Sequence, residues 1–234
     1  MGLIINIETA TQICSVALAK DGELLAIREL NEKNIHAEVI TQFVQEVIDE
    51  SLLTLRDLDA IAVSMGPGSY TGLRIGVSTA KGLCYSLDKP LIAISSLQAM
   101  AQYAAFKLQD KLKGNTLLTP MIDARRMEVY TAFYNCNMQE VSKIAPHIFS
   151  EESFLEDEKE HELILTGDGC AKSQELFSKR KNIHIYPEIL SSSKGMVPLS
   201  EKKWIAQDFE DVAYFEPFYL KEFIAGIPRV KGLR

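Results

Sequence analysis

MGPGSYTGLRIGVSTAKG, residues 65–82, reads as a strand end, a glycine-rich turn and a helix start in one line. The preceding Ala60-Ile61-Ala62-Val63-Ser64 is a short apolar run, as in a buried strand. Three glycines and a proline in residues 66–72 exclude a regular element there. From Leu73 the apolar residues Leu73, Val77, Ala80, Leu83 and Cys84 keep helical spacing. Two uses of the segment are open. A helix start offers free backbone N–H groups and the positive end of the helix dipole, which suit an anion. Alternatively Gly72, Gly76 and Ala80, spaced four apart, form a face almost without side chains, which another backbone can approach closely.

Common nucleotide motifs do not fit. Gly66-x-Gly68-x-x-x-Gly72 is one residue too long for the dinucleotide fingerprint, and no Gly-Lys-Ser/Thr follows as in a P-loop. Ser78-Thr79-Ala80-Lys81 has the Ser-x-x-Lys pattern of penicillin-binding enzymes but lacks its Ser-Asp-Asn and Lys-Thr-Gly companions.

The chain has 234 residues, 47% hydrophobic and 24% charged, which is one large or two small globular units with an ordinary core. A net charge of −7 argues against a nucleic-acid groove on this chain alone, since phosphate contacts need clustered Lys and Arg. It leaves open membership of a larger RNA-binding assembly. Cys14, Cys84, Cys136 and Cys170 form no Cys-x-x-Cys, so reduced thiols and a cytoplasmic location are expected. No secretory leader, myristoylation signal or membrane span is expected.

In order, residues 3–7 read as a strand buried on both faces, residues 14–18 as a second strand, Asp21-Gly22 as a hairpin turn and residues 24–30 as a third strand. Residues 36–52 read as an amphipathic helix capped by Asn34, with core positions Val39, Ile40, Phe43, Val44, Val47, Ile48 and Leu52. His36, lacking a second histidine one turn on, reads as a cap or surface residue. Residues 90–94 are a strand, and Ser95 to Gln98 has capping-box spacing for a helix to about Leu108. A polar break at residues 110–115 marks a boundary between subdomains 1–108 and 109–234.

Beyond it, residues 117–122 and 128–134 read as strands around a tight turn. An acidic helix is expected at 150–157, a strand at 162–166, a helix at 170–178, a strand at 182–186 and a helix at 199–209 with Trp204 in the core. The basic residues 228–234 are expected to fray. Glu8-Thr9-Ala10-Thr11, an acidic residue and hydroxyl-rich turn after the first strand, is similar to the opening of the actin/Hsp70/sugar-kinase superfamily. There, however, the turn usually contains Gly, which lets backbone wrap a phosphate. Gly167-Asp168-Gly169 reads either as a second phosphate turn or as a plain strand-to-helix turn.

Four segments together carry a more specific resemblance. They are Ile7-Glu8-Thr9-Ala10-Thr11 with Cys14-Ser15-Val16-Ala17-Leu18; Gly66-Pro67-Gly68-Ser69-Tyr70-Thr71-Gly72-Leu73-Arg74-Ile75-Gly76; Ile122-Asp123-Ala124-Arg125 with Glu128-Val129-Tyr130; and Glu216-Pro217-Phe218-Tyr219-Leu220-Lys221. In order along essentially the whole chain they resemble the bacterial TsaB (YeaZ) family. The resemblance implies an α/β, actin-like/Hsp70-like (ASKHA) fold of two subdomains, each with a mixed sheet and flanking helices. It implies a non-catalytic, cofactor-free subunit for threonylcarbamoylation of the adenosine next to the anticodon in tRNAs reading codons that begin with A. The implied partners are a TsaD-like catalytic paralogue and a TsaE-like ATPase, with tRNA met only through the complex and a homodimer formed by the chain alone.

The partner surface is then expected on the helices carrying His36, Val39, Phe43, Tyr70, Gly72, Leu73, Ile75, Gly76, Thr79, Ala80 and Leu83. Glu8, Thr9, Thr11, Gly167, Asp168 and Gly169 would form a vestigial nucleotide site, with no catalytic or metal-binding residue. Two rival readings are a small-molecule kinase or ATPase, with Glu8, Asp123 and Asp168 as its carboxylates, and a metallopeptidase. The latter needs a His-Glu-x-x-His set that the scattered His36, His147, His161 and His184 do not supply.

Overall fold

The computed structural model describes residues 2–221; the basic stretch 228–234 lies outside them. Its first sheet begins with an antiparallel meander of β1 (Leu3–Glu8), β2 (Ile13–Lys20) and β3 (Glu23–Asn31). Asp21 and Gly22, at φ 54° and 79°, make the tight turn between β2 and β3, both in the left-handed region that such hairpins require. On the other flank of β1, β4 (Ala60–Gly66) and β5 (Leu91–Ser95) add in parallel, for the order β3-β2-β1-β4-β5.

The second sheet repeats the plan. β6 (Thr116–Asp123), β7 (Glu128–Thr131) and β8 (Ala145–Ile148) are antiparallel, and β9 (Glu162–Thr166) and β10 (Ile183–Tyr186) add in parallel beside β6. Two mixed five-stranded sheets of the same plan, with flanking helices, make this an α/β protein of the actin-like (ASKHA) class.

The central strands are buried on both faces, so alternate residues feed two cores. Leu3, Ile5, Ile7, Ile61 and Val63 face α1 (His36–Glu50) and α2 (Tyr70–Leu87). Ile4, Ala60, Ala62, Ile92 and Ile94 face the other way. They are covered by Ala99 of α3 (Ser96–Lys107) and by Met196, Leu199 and Trp204 at and within α6 (Val197–Ala206). Trp204 therefore packs on the core, as expected. Leu97, Met100, Ala101 and Ala104 of α3 pack instead on Leu118, Ile122 and Ile164 of the second sheet. Ser95 caps α3 by accepting from the Gln98 amide.

Some expectations are corrected. Asn34 does not cap α1: it sits at φ 61°, and the N-cap is Ile35, which has no side-chain bond to offer. The helix stops at Glu50, and Leu52, past the end, is 93% exposed rather than core. Most of residues 150–157 forms turns, with only α4 (Asp157–Glu160) helical. Ser153 and Phe154 are buried there, and Arg180 anchors the segment through Glu158 (2.7 Å) and the Ser153 carbonyl (2.6 Å). Residues 170–178 hold a short 3-10 turn followed by α5 (Gln174–Phe177). The edge strand β8 carries Pro146, which hid it from a periodicity reading. A cut at residue 108 does not divide the cores, because the chain returns to the first sheet from Met196 onward.

Phe177 is 2% exposed and packs edge-on against Phe149 and Phe154 under the second sheet. Phe177→Ala is expected to cost about 3–5 kcal/mol of unfolding free energy, measured by chemical denaturation.

Candidate functional site

The turn after β1 is the first part of the site. Glu8 is fully buried, and its Oε1 accepts the Ala10 amide at 2.6 Å, while Oε2 has no hydrogen-bond partner among the described residues. Burial raises its carboxyl from the ordinary 4.5 to about 7, against the opposing pull of the Ala10 amide. The Thr9 amide donates to Ser64 Oγ at 3.2 Å. The Thr9 and Ala10 amides therefore point into the protein and are not available to a phosphate.

The carbonyls of the same turn are met by the glycine-rich segment. The Ser69 amide donates to the Ala10 carbonyl at 2.7 Å. A methyl group on Gly68 would come within 2.3 Å of that oxygen, and one on Gly72 within 2.1 Å of the Thr9 carbonyl oxygen. On Gly76 it would meet Thr9 Oγ1 at 2.1 Å. Ser69 caps the helix by accepting the Gly72 amide at 3.3 Å. Of the two uses open for this segment, the structure takes close packing, and the surface packed on is the chain's own turn.

That finding corrects the expected partner surface. Gly72, Leu73, Gly76 and Ala80 are buried within the chain, as is Phe43. His36 is buried too, neither cap nor surface. Its Nε2–H donates to the carbonyls of Thr11 (3.0 Å) and Ile13 (3.3 Å), staking α1 to the turn. Of the expected positions, Val39, Tyr70, Ile75, Thr79 and Leu83 remain half-exposed.

The second turn mirrors the first. The Gly167 amide donates to the Ile189 carbonyl at 2.9 Å and the Gly169 amide to the Met121 carbonyl at 3.0 Å, so these donors are also used internally. Asp168 Oδ1 accepts the Asp123 amide at 3.1 Å. The walls of the cleft raise its carboxyl above the ordinary value by desolvation, and the Asp123 charge adds to this. Asp123 itself is held by Lys172 Nζ at 2.6 Å.

Between the lobes lies a cleft of about 1090 Å³, lined by Thr11, Gly68, Gly72, Asp123 and Asp168 among others. Thr11 and Asp168 also share a smaller cavity of about 140 Å³ with Ser191. Thr11 and Asp168 thus meet across one space, whereas Glu8 and Thr9 lie behind the wall.

Sequence reasoning passed over several residues here. Arg74 lies over the Tyr70 ring (4.1 Å) and donates to Tyr219 Oη (3.1 Å), and the two tyrosine rings sit 4.9 Å apart. Lys221 pairs with Glu128. Arg74 and Tyr70 are one helical turn apart, but the contacts of Tyr219 and Lys221 span more than 90 residues, and no local spacing signals them. Gly82 also stands out: a methyl group there meets nothing within 4 Å among the described residues, so none of them requires a glycine. Burial pushes the Cys14, Cys84 and Cys170 thiols up to about 12, the range of inert core cysteines. His147 bonds Ser153 Oγ at 2.8 Å, but Ser153 is buried and already accepts the Ser150 amide, which leaves no nucleophile facing solvent. Among the described residues no three His, Cys, Asp or Glu side chains group to hold a metal, and no helix is long and apolar enough to cross a membrane.

A family model described as TsaD, tRNA N6-adenosine threonylcarbamoyltransferase, matches residues 24–223. The chain is 32% identical to the tRNA threonylcarbamoyladenosine biosynthesis protein TsaB of Escherichia coli (strain K12), across 95% of this chain and 96% of that protein. This chain belongs to the TsaB family. The TsaB of Haemophilus influenzae is 31% identical, across 93% of each chain. YeaZ from Pseudomonas aeruginosa superposes with a TM-score of 0.78 at 25% identity, covering 94% of this chain and all of that one. TsaB membership links the chain to threonylcarbamoyladenosine biosynthesis.

Glu8 gives the TsaB fold a pH signature. Its carboxyl titrates higher when folded than when unfolded, so from pH 4.5 to 7 the folded state holds a proton that the unfolded state has lost, and stability falls as pH rises. About 2–4 kcal/mol is expected to disappear between pH 4.5 and 8. Glu8→Gln, which keeps the acceptor for Ala10, is expected to flatten that slope in denaturation curves taken across the range.

Proposed function

We propose that this chain is a non-catalytic activating subunit for threonylcarbamoylation of the adenosine next to the anticodon in tRNAs that read codons beginning with A. It acts by pairing with a TsaD-like catalytic paralogue, and the pair admits a TsaE-like ATPase. Alone, it forms a homodimer through the same face. The observation that carries this reading is the closed first turn: the Thr9 and Ala10 amides donate to Ser64 and Glu8, the Ala10 carbonyl accepts the Ser69 amide, and the Thr9 carbonyl is packed closely against Gly72. A kinase-type turn must keep such donors for its phosphate. The internally bonded Gly167 and Gly169 amides support the same conclusion.

The exposed side of α2 supports the pairing surface. Ile75, Thr79 and Leu83 are half-exposed, as is Val39 of α1, while Ser78 and Gly82 are exposed. A glycine inside a solvent-facing helix costs about 1 kcal/mol relative to alanine. Close approach of a partner backbone at Gly82 gives that cost a purpose.

Reconstituted threonylcarbamoylation of tRNA, with catalytic paralogue and ATPase present, is expected to require this chain. The chain alone is expected neither to hydrolyse ATP nor to modify tRNA; turnover by the chain alone would mark it as an enzyme. Gly82→Leu is expected to abolish pairing in analytical ultracentrifugation without destabilising the monomer, since Leu is the better helix former. Gly76→Leu, by contrast, strikes Thr9 and is expected to destabilise the monomer itself.

A further inference from the structure

We propose that residues 213–221 act as a latch across the mouth of the cleft, holding the two lobes at a set opening and releasing at Lys221. The inference is independent of the tRNA reading.

On the first lobe the segment is fastened repeatedly. Lys81 Nζ donates to the carbonyls of Ala213 (3.1 Å) and Phe215 (3.0 Å). The Phe218 amide donates to the Met65 carbonyl at 2.7 Å. That crossing exists because residue 66 is glycine, at φ 113°: a Cβ there would lie 2.6 Å from the Phe218 carbonyl oxygen. Tyr219 is then held by Arg74 and packs at a tilt against Tyr70. On the second lobe, the ties among the described residues all come from Lys221. Its ammonium pairs with Glu128 on β7 and lies 5.9 Å from the centre of the Tyr130 ring.

The asymmetry matters. The first-lobe ties are several and include backbone bonds beside a buried glycine. The second-lobe ties depend on one ammonium whose side chain is 43% exposed. Solvent competes with such an ion pair, so it is the weakest link in the strap. Tyr219, Leu220 and Lys221 also line the cleft together with Tyr70 and Asp123, so release of Lys221 unblocks the space between the lobes. Away from the cleft mouth the lobes are joined by α3, whose Ala99 packs on the first sheet and whose Leu97, Met100 and Ala104 pack on the second, and by the covalent crossings near residues 108–116 and 190–196. The second crossing is pinned by Ser193 and Ser192 to Ser15 and Glu29. With Lys221 free, the packed α3 and these crossings are the pivots.

The test uses the full chain and a charge swap. Lys221→Glu and Glu128→Lys, each alone, are expected to speed hydrogen exchange of the Phe218 amide about two- to fivefold. Each is also expected to raise the radius of gyration in small-angle X-ray scattering. The double swap is expected to restore both values. Lys221→Met, which removes attraction without adding repulsion, is expected to fall between wild type and the reversals. Near-ultraviolet circular dichroism checks that each variant keeps its packed core. Unchanged exchange or scattering in the single variants overturns the latch, and so does a double swap that stays open.

Discussion

Everything in the first lobe depends on one contact, the glycine-lined edge of α2 against the turn between β1 and β2. Carbonyl oxygens of Thr9 and Ala10 occupy the volume that side chains at Gly72 and Gly68 would fill. This aligns negative ends of peptide dipoles with the positive start of a helix, so the anion-binding potential of α2 is used by the chain itself. His36 fixes the far side of the turn, through the Thr11 carbonyl, to α1. Strand, turn and both helices are therefore mutually positioned, and the outer faces of the two helices become a rigid pair.

The second lobe solves the same problem with charges. Asp123 and Asp168 stand where the repeated fold plan puts its second set of turns, and each is occupied internally, by Lys172 and by a backbone amide. The cleft keeps the architecture of a nucleotide-binding fold while its donors and carboxylates are committed to one another. One fold plan serves many chemistries, and for that reason the fold alone says little about activity.

Much of this was legible in the sequence where the signal is local. The continuous apolar run at residues 3–7, the Asp21-Gly22 turn, the Ser95 cap and the small-residue spacing of Gly72, Gly76 and Ala80 all read correctly as elements. The target of the small-residue face was not legible. A stripe of glycines shows that something comes close, and residues 9–10 compete for it with any partner on equal terms until the chain is folded. His36 shows the same limit: its two acceptors are carbonyls, which every residue carries, so no residue type marks them. Leu52 fits the helical period but falls one turn too late, beyond a stop that leaves Asp49 and Glu50 facing water. The contacts of Arg74 with Tyr219 and of Lys221 with Glu128 join positions too far apart for any periodicity to connect.

Met196 and α6 cover one face of a sheet whose strands all lie before residue 96. During synthesis that face, with Ile4, Ile92 and Ile94, waits for almost the whole chain to emerge before its cover arrives. Closing so long a loop is entropically demanding, and it makes the fold one of high contact order. The amino-terminal sheet thus carries an apolar face that is complete only when the carboxyl-terminal helix has docked.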